Sequence, residues 1–222
     1  MKLFKRIVFF LTTILFPFFA ILSSIRLALT LLFIQLEYRL PGFPVDSYGF
    51  STGDRLHWAQ YSIDYLLGRI SHAEFSAQTL ADGTPLFNPR EISHMLDVRN
   101  LTEPVLSIWL GICIFFALVF IISYSKKWLP HLHRSLKSGG RLTIAIILFI
   151  LLAVWMNFDL LFTKFHQIFF EGDTWLFYLS DNLIRLFPMR FWRDLFIFIG
   201  GLSILFSLIP DLLLRKKGTH RK

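Results

Sequence analysis

The sequence predicts an all-α integral membrane protein, with four transmembrane helices and a helical extracytoplasmic cap. Three observations carry this. First, 55% of the 222 residues are hydrophobic and 26 are Phe, more apolar surface than a soluble domain of this length has to bury. Second, four segments approach the roughly 20 apolar residues needed to cross a hydrocarbon core. Third, Lys and Arg collect in short runs beside those segments, so the net charge of +8 reads as a topology signal and not as a nucleic-acid surface. The one cysteine, Cys113, leaves no disulfide framework and no Cys-based metal site. No internal repeat or low-complexity tract divides the chain, which reads as a single membrane domain over residues 1–222.

The first span, about 7–30, carries no charge from Ile7 to Ile25; its helical pattern continues to about Leu36, and Pro17 predicts a kink. It is long for the apolar core of a cleavable signal, and no A-x-A site follows, so a retained helix is expected. The second span is about 104–125, the third about 141–162 and the fourth about 191–214, with Pro210 and Asp211 near its end.

Orientation follows from the basic flanks. Lys2, Lys5 and Arg6 precede span one; Lys126, Lys127, Arg134, Lys137 and Arg141 lie between spans two and three; Arg215, Lys216, Lys217, Arg221 and Lys222 follow span four. If all four spans cross, these groups share one side. That side is expected to be the cytoplasm, with both termini there and the segments 37–103 and 163–190 forming the outer cap. His131, His133 and His220 read as parts of the basic flanks.

Within the cap, Leu56, Ala59, Ile63, Leu66, Leu67 and Ile70 fall on one face of a helix over 52–70, and Trp58, Tyr61 and Tyr65 suit an interface. A turn-rich connector, ADGTPLFNPRE, follows. Asn88 is a helix cap before Pro89, with Glu91 placed to complete a capping box, so EISHMLDVRN is the body of a short helix. Thr102-Glu103-Pro104 reads as a second helix start. Beyond span three, Asp159, Phe162, His166 and Phe169 recur at helical spacing. Glu171-Gly172-Asp173 makes a turn. A short helix in SDNLIRLFP is capped by Ser180 or Asp181 and stopped by Pro188.

Two independent helices thus deliver His94 and His166 to one depth. Asp97 lies three residues from the first, and Asp159 about 10 Å below the second at 1.5 Å per residue. Rings crowd His166: Phe165, Phe169, Phe170, Trp175, Phe177 and Tyr178. A histidine pair can supply a base and an acid near neutral pH. Each element also has a plain reading. A lone interfacial histidine, such as His57 or His72, is usually structural. Aromatic belts are ordinary at interfaces. Asp97 and Glu91 can pair with Arg90 or Arg99 as solvated helix charges, and Arg26 can snorkel from span one. From spacing alone the His pair reads equally as a catalytic site or as structure. No H-E-x-x-H or comparable metal motif is present.

Two stretches, FNPREISHMLDVRN and FHQIFFEGDTWLF followed by DNLIRLFP, resemble the lipoprotein intramolecular transacylase family of small four-span membrane proteins. The resemblance spans nearly the whole chain. It implies a four-helix bundle with an extracellular cap, and two catalytic histidines at the cap–membrane interface, here His94 and His166. The implied substrate is a diacylated lipoprotein, whose N-terminal Cys carries a thioether-linked diacylglyceryl group. The sn-2 acyl chain moves to the α-amino group of that same Cys, giving the lyso form. No cofactor and no metal are implied; the partners are the lipoprotein and membrane lipid, with no nucleic acid. Asp97 or Asp159 would orient a histidine, Arg99 or Arg185 would stabilise an oxyanion, and Phe169, Phe170 and Trp175 would hold acyl chains. Two rival readings stand beside it: a metal-dependent lipid hydrolase using His94, Asp97 and His166, and a non-catalytic envelope assembly factor or chaperone.

Overall fold

The computed structural model describes residues 2–215. These form eight helices: α1 Lys2–Ala28, α2 Leu31–Glu37, α3 Thr52–Leu66, α4 His72–Ser76, α5 Pro89–Ser125, α6 Leu129–Phe169, α7 Asn182–Leu186 and α8 Met189–Arg215. Among the described residues there is no strand, only an isolated bridge between Thr79 and Pro85. Helices α1, α5, α6 and α8 are long and apolar enough to cross a bilayer, and the chain is a multi-pass membrane protein. Side chains such as Ile108, Leu110, Ile114 and Phe120 on α5 stay more than half exposed. A helix satisfies its own backbone, so such a face can meet lipid. The last basic group expected from sequence, Lys216 to Lys222 with His220, lies outside the described residues, as does the side chain of Arg215.

The chain divides into two compact units. One comprises the chain up to Arg26, Leu106–Ala153 and the residues from Ile197; the other comprises Leu27–Val105 and Val154–Phe196.

In the first unit, small residues let helices approach closely. A Cβ added to Gly139 would come within 2.9 Å of the Thr13 carbonyl oxygen, and one added to Gly140 within 2.7 Å of the Ser207 carbonyl oxygen. Buried Thr12, Ser24 and Ser203 each donate to the carbonyl four residues earlier, and the Ser24 and Ser203 hydroxyls meet at 3.1 Å. Interhelical polar pairs of this kind suit a site away from water. Helix α5 ends at a tight turn in which Lys127 takes a left-handed φ of 58° and the Trp128 N–H closes on the Ser123 carbonyl at 2.7 Å. The basic segment between the second and third spans is helical from Leu129. Pro130 is tolerated in a first turn, and Leu132 and Leu136 pack one turn apart against Phe9 and its neighbours.

The second unit is built around stacked rings and a buried ion pair. Phe75 stacks on Tyr65 at 4.2 Å and on Phe87 at 4.9 Å. The Ser51–Asp54 capping box opens α3, which ends at Leu66, short of Ile70. Arg185 grips Asp46 through two bonds, at 2.8 and 2.9 Å, and lies 3.7 Å over the Phe50 ring. This Arg185 bond, helped by the Phe50 and Tyr48 N–H groups, holds the Asp46 carboxyl down at about 2 against the opposing effect of its burial.

Two boundaries differ from expectation. Helix α5 runs without a break from Pro89 to Ser125, so Pro104 lies inside it and no second start occurs at Thr102. Proline removes one donor from the ladder, but an Arg99–Glu103 pair at 2.7 Å and the Thr102 hydroxyl bonded to the Val98 carbonyl brace the turn before it. Helix α6 is interrupted instead, at Asn157, whose backbone is extended (φ −162°, ψ 90°). The Asn157 Oδ1 then accepts from the Leu160 N–H at 2.9 Å, so this side chain caps a restarted segment that carries Phe162 and His166.

Candidate active site

His94 owes its position to the start of α5. Asn88 Oδ1 accepts from the Glu91 N–H at 3.0 Å, and Glu91 Oε2 accepts from the Asn88 N–H at 2.7 Å, which completes the capping box read from the sequence. Glu91 is nearly fully buried, and its other oxygen accepts from the Leu183 N–H at the start of α7. One carboxylate therefore fixes both the helix that bears His94 and the short helix facing it.

His166 comes from the segment restarted at Asn157. Its Nδ1 is 2.8 Å from the carbonyl oxygen of Phe162, one turn back. A carbonyl can only accept, so Nδ1 carries the proton, and in the neutral ring the lone pair lies on Nε2. Phe162 also packs on the imidazole at 4.1 Å.

The two imidazoles stack, with centroids 5.9 Å apart and planes 24° from parallel. They are 6% and 7% exposed, which makes them among the most buried polar side chains of the second unit. Phe170 packs against both rings, Phe177 against His94, and Trp175 against His166 at 4.9 Å. Leu183, Ile184, Phe187, Met189 and Trp192 complete the wall of a cavity of about 40 Å³ beside the pair. Two buried polar atoms here have no hydrogen-bond partner: His94 Nδ1 and the Trp175 indole N–H. Among the described residues no group of three His, Cys, Asp or Glu side chains stands close enough to hold a metal ion.

The other residues singled out from sequence take different places. Asp97 accepts from the Thr174 hydroxyl at 3.1 Å, so it ties the 170–181 segment to α5, and no bond joins it to an imidazole. Arg90 makes a second tie, to the Leu176 carbonyl at 3.0 Å. Asp159 lies on the exposed side of α6. Arg99 is held by Glu103 and by the Ile70 carbonyl, over the Tyr65 ring. Arg185 is committed to Asp46. Neither arginine lines the cavity. Phe169 points outward, 49% exposed, whereas Phe170 faces the pair. Both imidazoles line that cavity, so a reacting group would meet them there. Sequence reasoning missed Phe187 and Trp192. Their only signal was aromatic density around Pro188, which an ordinary interfacial belt also produces.

A sequence profile described as lipoprotein intramolecular transacylase Lit matches residues 10–192. An uncharacterized protein of Aquifex aeolicus (strain VF5) is 30% identical over 208 residues, covering 92% of each chain. Among solved structures, the membrane integral lipoprotein intramolecular transacylase Lit of Bacillus cereus superposes with a TM-score of 0.76 at 20% identity, covering 98% of this chain and 99% of that one. A variant of the same protein with one histidine replaced by arginine gives a TM-score of 0.68 at 21% identity, over 99% and 96% of the two chains. At these identities the likeness to the solved structures is one of fold.

Proposed function

The chain belongs to the lipoprotein intramolecular transacylase family, and from that membership we propose that it moves an acyl chain within a lipoprotein, with His94 and His166 as its acid–base pair. The substrate is a diacylglyceryl-Cys lipoprotein. Its sn-2 acyl chain passes to the α-amino group of the same Cys, so an ester is exchanged for an amide and a free glyceryl hydroxyl is left. The observation that carries this reading is the stacked histidine pair: two imidazoles from separate helices, buried together within an aromatic wall.

The chemistry needs a proton acceptor for the attacking amine and a proton donor for the departing glyceryl oxygen. His166 suits the first role. Its Nδ1 proton is engaged by the Phe162 carbonyl, which leaves Nε2 to take a proton and supports the imidazolium that results. His94, stacked against it, is near enough to share in returning the proton to the leaving oxygen. The Trp175 N–H is an uncommitted donor at the same wall and suits the developing oxyanion better than Arg99 or Arg185, both already bonded elsewhere.

The ring closed during transfer contains the amine nitrogen, Cα, Cβ, sulfur, two glyceryl carbons, the ester oxygen and the carbonyl carbon. Such a medium ring is entropically costly in open lipid. A wall of Phe and Trp that confines both ends lowers that cost, and positioning is worth roughly 7–11 kcal/mol at its ideal limit. A cavity of about 40 Å³ cannot hold a diacylglyceryl group, so substrate entry has to displace Trp175 and Phe177 on the 170–181 segment. Phe170 and Trp175 remain the acyl-facing rings; Asp97 serves them by anchoring that segment.

In this reading the spans are about 7–30, 104–125, 141–162 and 191–214, and segments 37–103 and 163–190 form the extracytoplasmic cap that holds the site. Both termini are then cytoplasmic. The basic runs at 2–6 and 126–141 support that orientation. The test uses purified protein in nanodiscs with a synthetic diacylated lipopeptide. The α-amine should become inaccessible to an amine-reactive label as the protein acts. An amine that stays reactive while the lipopeptide is consumed would contradict acyl transfer.

A further inference from the structure

We propose that the first unit carries a binding site for the phosphate headgroup of an anionic phospholipid, between the start of α1 and the start of α6. Lys2, Lys5 and Arg6 from α1 and Arg134 from α6 line one open cleft of about 490 Å³, and none of its described lining residues is acidic. The site is separate from the histidine pair and does not depend on the acyl-transfer reading.

Basic runs that only set topology need to be near a span in the chain. They do not need to meet in space. Here two runs about 130 residues apart converge, and residues of both line one shared opening. Four like charges in one cleft repel each other, and an anion among them relieves that repulsion. The floor is apolar and aromatic. Phe9 is buried, and the His131 ring stacks on it at 5.8 Å; Phe10 beside it is exposed. The Lys5 ammonium lies 5.1 Å from the centre of the Trp128 ring. Cations over an apolar floor, next to helices that meet lipid, match a phosphodiester with acyl chains below it better than a freely diffusing anion.

The test is native mass spectrometry of the full-length protein in detergent, titrated with phosphatidylglycerol or phosphatidylcholine. Phosphatidylglycerol should saturate one site, with phosphatidylcholine about tenfold weaker. The double variant Arg6→Gln/Arg134→Gln should lose about thirtyfold in phosphatidylglycerol retention, each cation near a headgroup being worth about fivefold. The charge-matched control Lys126→Gln/Arg141→Gln, outside the cleft, should stay close to the parent. Arg6→Lys/Arg134→Lys should retain binding, which separates charge loss from misfolding. Equal loss in the glutamine pair and its control would overturn the proposal in favour of diffuse surface attraction. So would equal retention of the two lipids by the parent protein. Displacement of the lipid by an equal concentration of inorganic phosphate would overturn the lipid assignment.

Discussion

His166 donates through Nδ1 to the carbonyl oxygen of Phe162 at 2.8 Å, within the helical segment that Asn157 restarts. This bond fixes the ring's tautomer and, in the neutral ring, leaves the lone pair on Nε2. It also ties the proposed base to a break in α6, because the segment that carries the histidine begins at that break.

His94→Ala and His166→Ala should each reduce transacylation by about 10²–10⁴-fold, the usual worth of a general acid or base. The double variant should be hardly slower than either single one, since groups acting as a unit are not additive. Initial rates on a diacylated lipopeptide, with folding checked by thermal unfolding, measure this. A folded single variant at near-parent rate would remove that histidine from the mechanism.

Gly140→Leu should prevent stable folding, because its Cβ alone would come within 2.7 Å of the Ser207 carbonyl oxygen, which is backbone and cannot move aside. Gly201→Ala should be neutral or stabilising, by up to about 1 kcal/mol of helix propensity, because nothing lies within 4 Å of its added Cβ. Thermal unfolding in detergent distinguishes the two.

Much of this arrangement was legible in the sequence, because its signals are local. Helical spacing brought His94 and His166 to one level, and Asn88 with Glu91 spelled out the cap. Four apolar runs announced the spans. The rest depended on partners remote in the chain. Arg185 looked available for an oxyanion until Asp46, 139 residues away, took its Nε and Nη2 donors and Asn182 took Nη1. Asp97 sat at the right interval from His94, but Thr174 bonds it. Asn157 lay in an apolar run where helical continuity is the natural reading, and only its backbone shows the restart. Pro104 misled in the opposite sense, since a proline that looks like a helix start can lie inside a helix braced around it.

The Asp46–Arg185 pair predicts a pH window. The folded carboxyl sits at about 2, below its ordinary value near 4. Its contribution is therefore complete above about pH 4 and is lost as the pH falls toward 2, worth about 2 kcal/mol in all. Denaturant unfolding of the parent and of Asp46→Asn should show the parent's advantage at pH 6 and its shrinkage by pH 3. A constant difference across that range would mean that Asp46 is not held by Arg185.

In a Cys113→Ser background, Asp82→Cys and Ser138→Cys should differ in labelling by an impermeant thiol reagent on intact cells: the first labelled, the second protected. Both positions are exposed on the protein, so accessibility reports the side of the membrane. Equal labelling would overturn the proposed topology.

The central claim is acyl transfer within one molecule, and tandem mass spectrometry of a reporter lipoprotein's N-terminal peptide tests it most directly. Moving an acyl chain from glyceryl oxygen to nitrogen makes an isomer, so the intact mass must not change. Fragmentation that expels the thioglyceryl group should leave an acyl chain on the peptide when the parent protein is present, and none when it is absent or carries His94→Ala or His166→Ala. A peptide lighter by one acyl chain would indicate hydrolysis, and an unmodified fragment pattern with active, folded protein would indicate no transfer; either result would contradict the account.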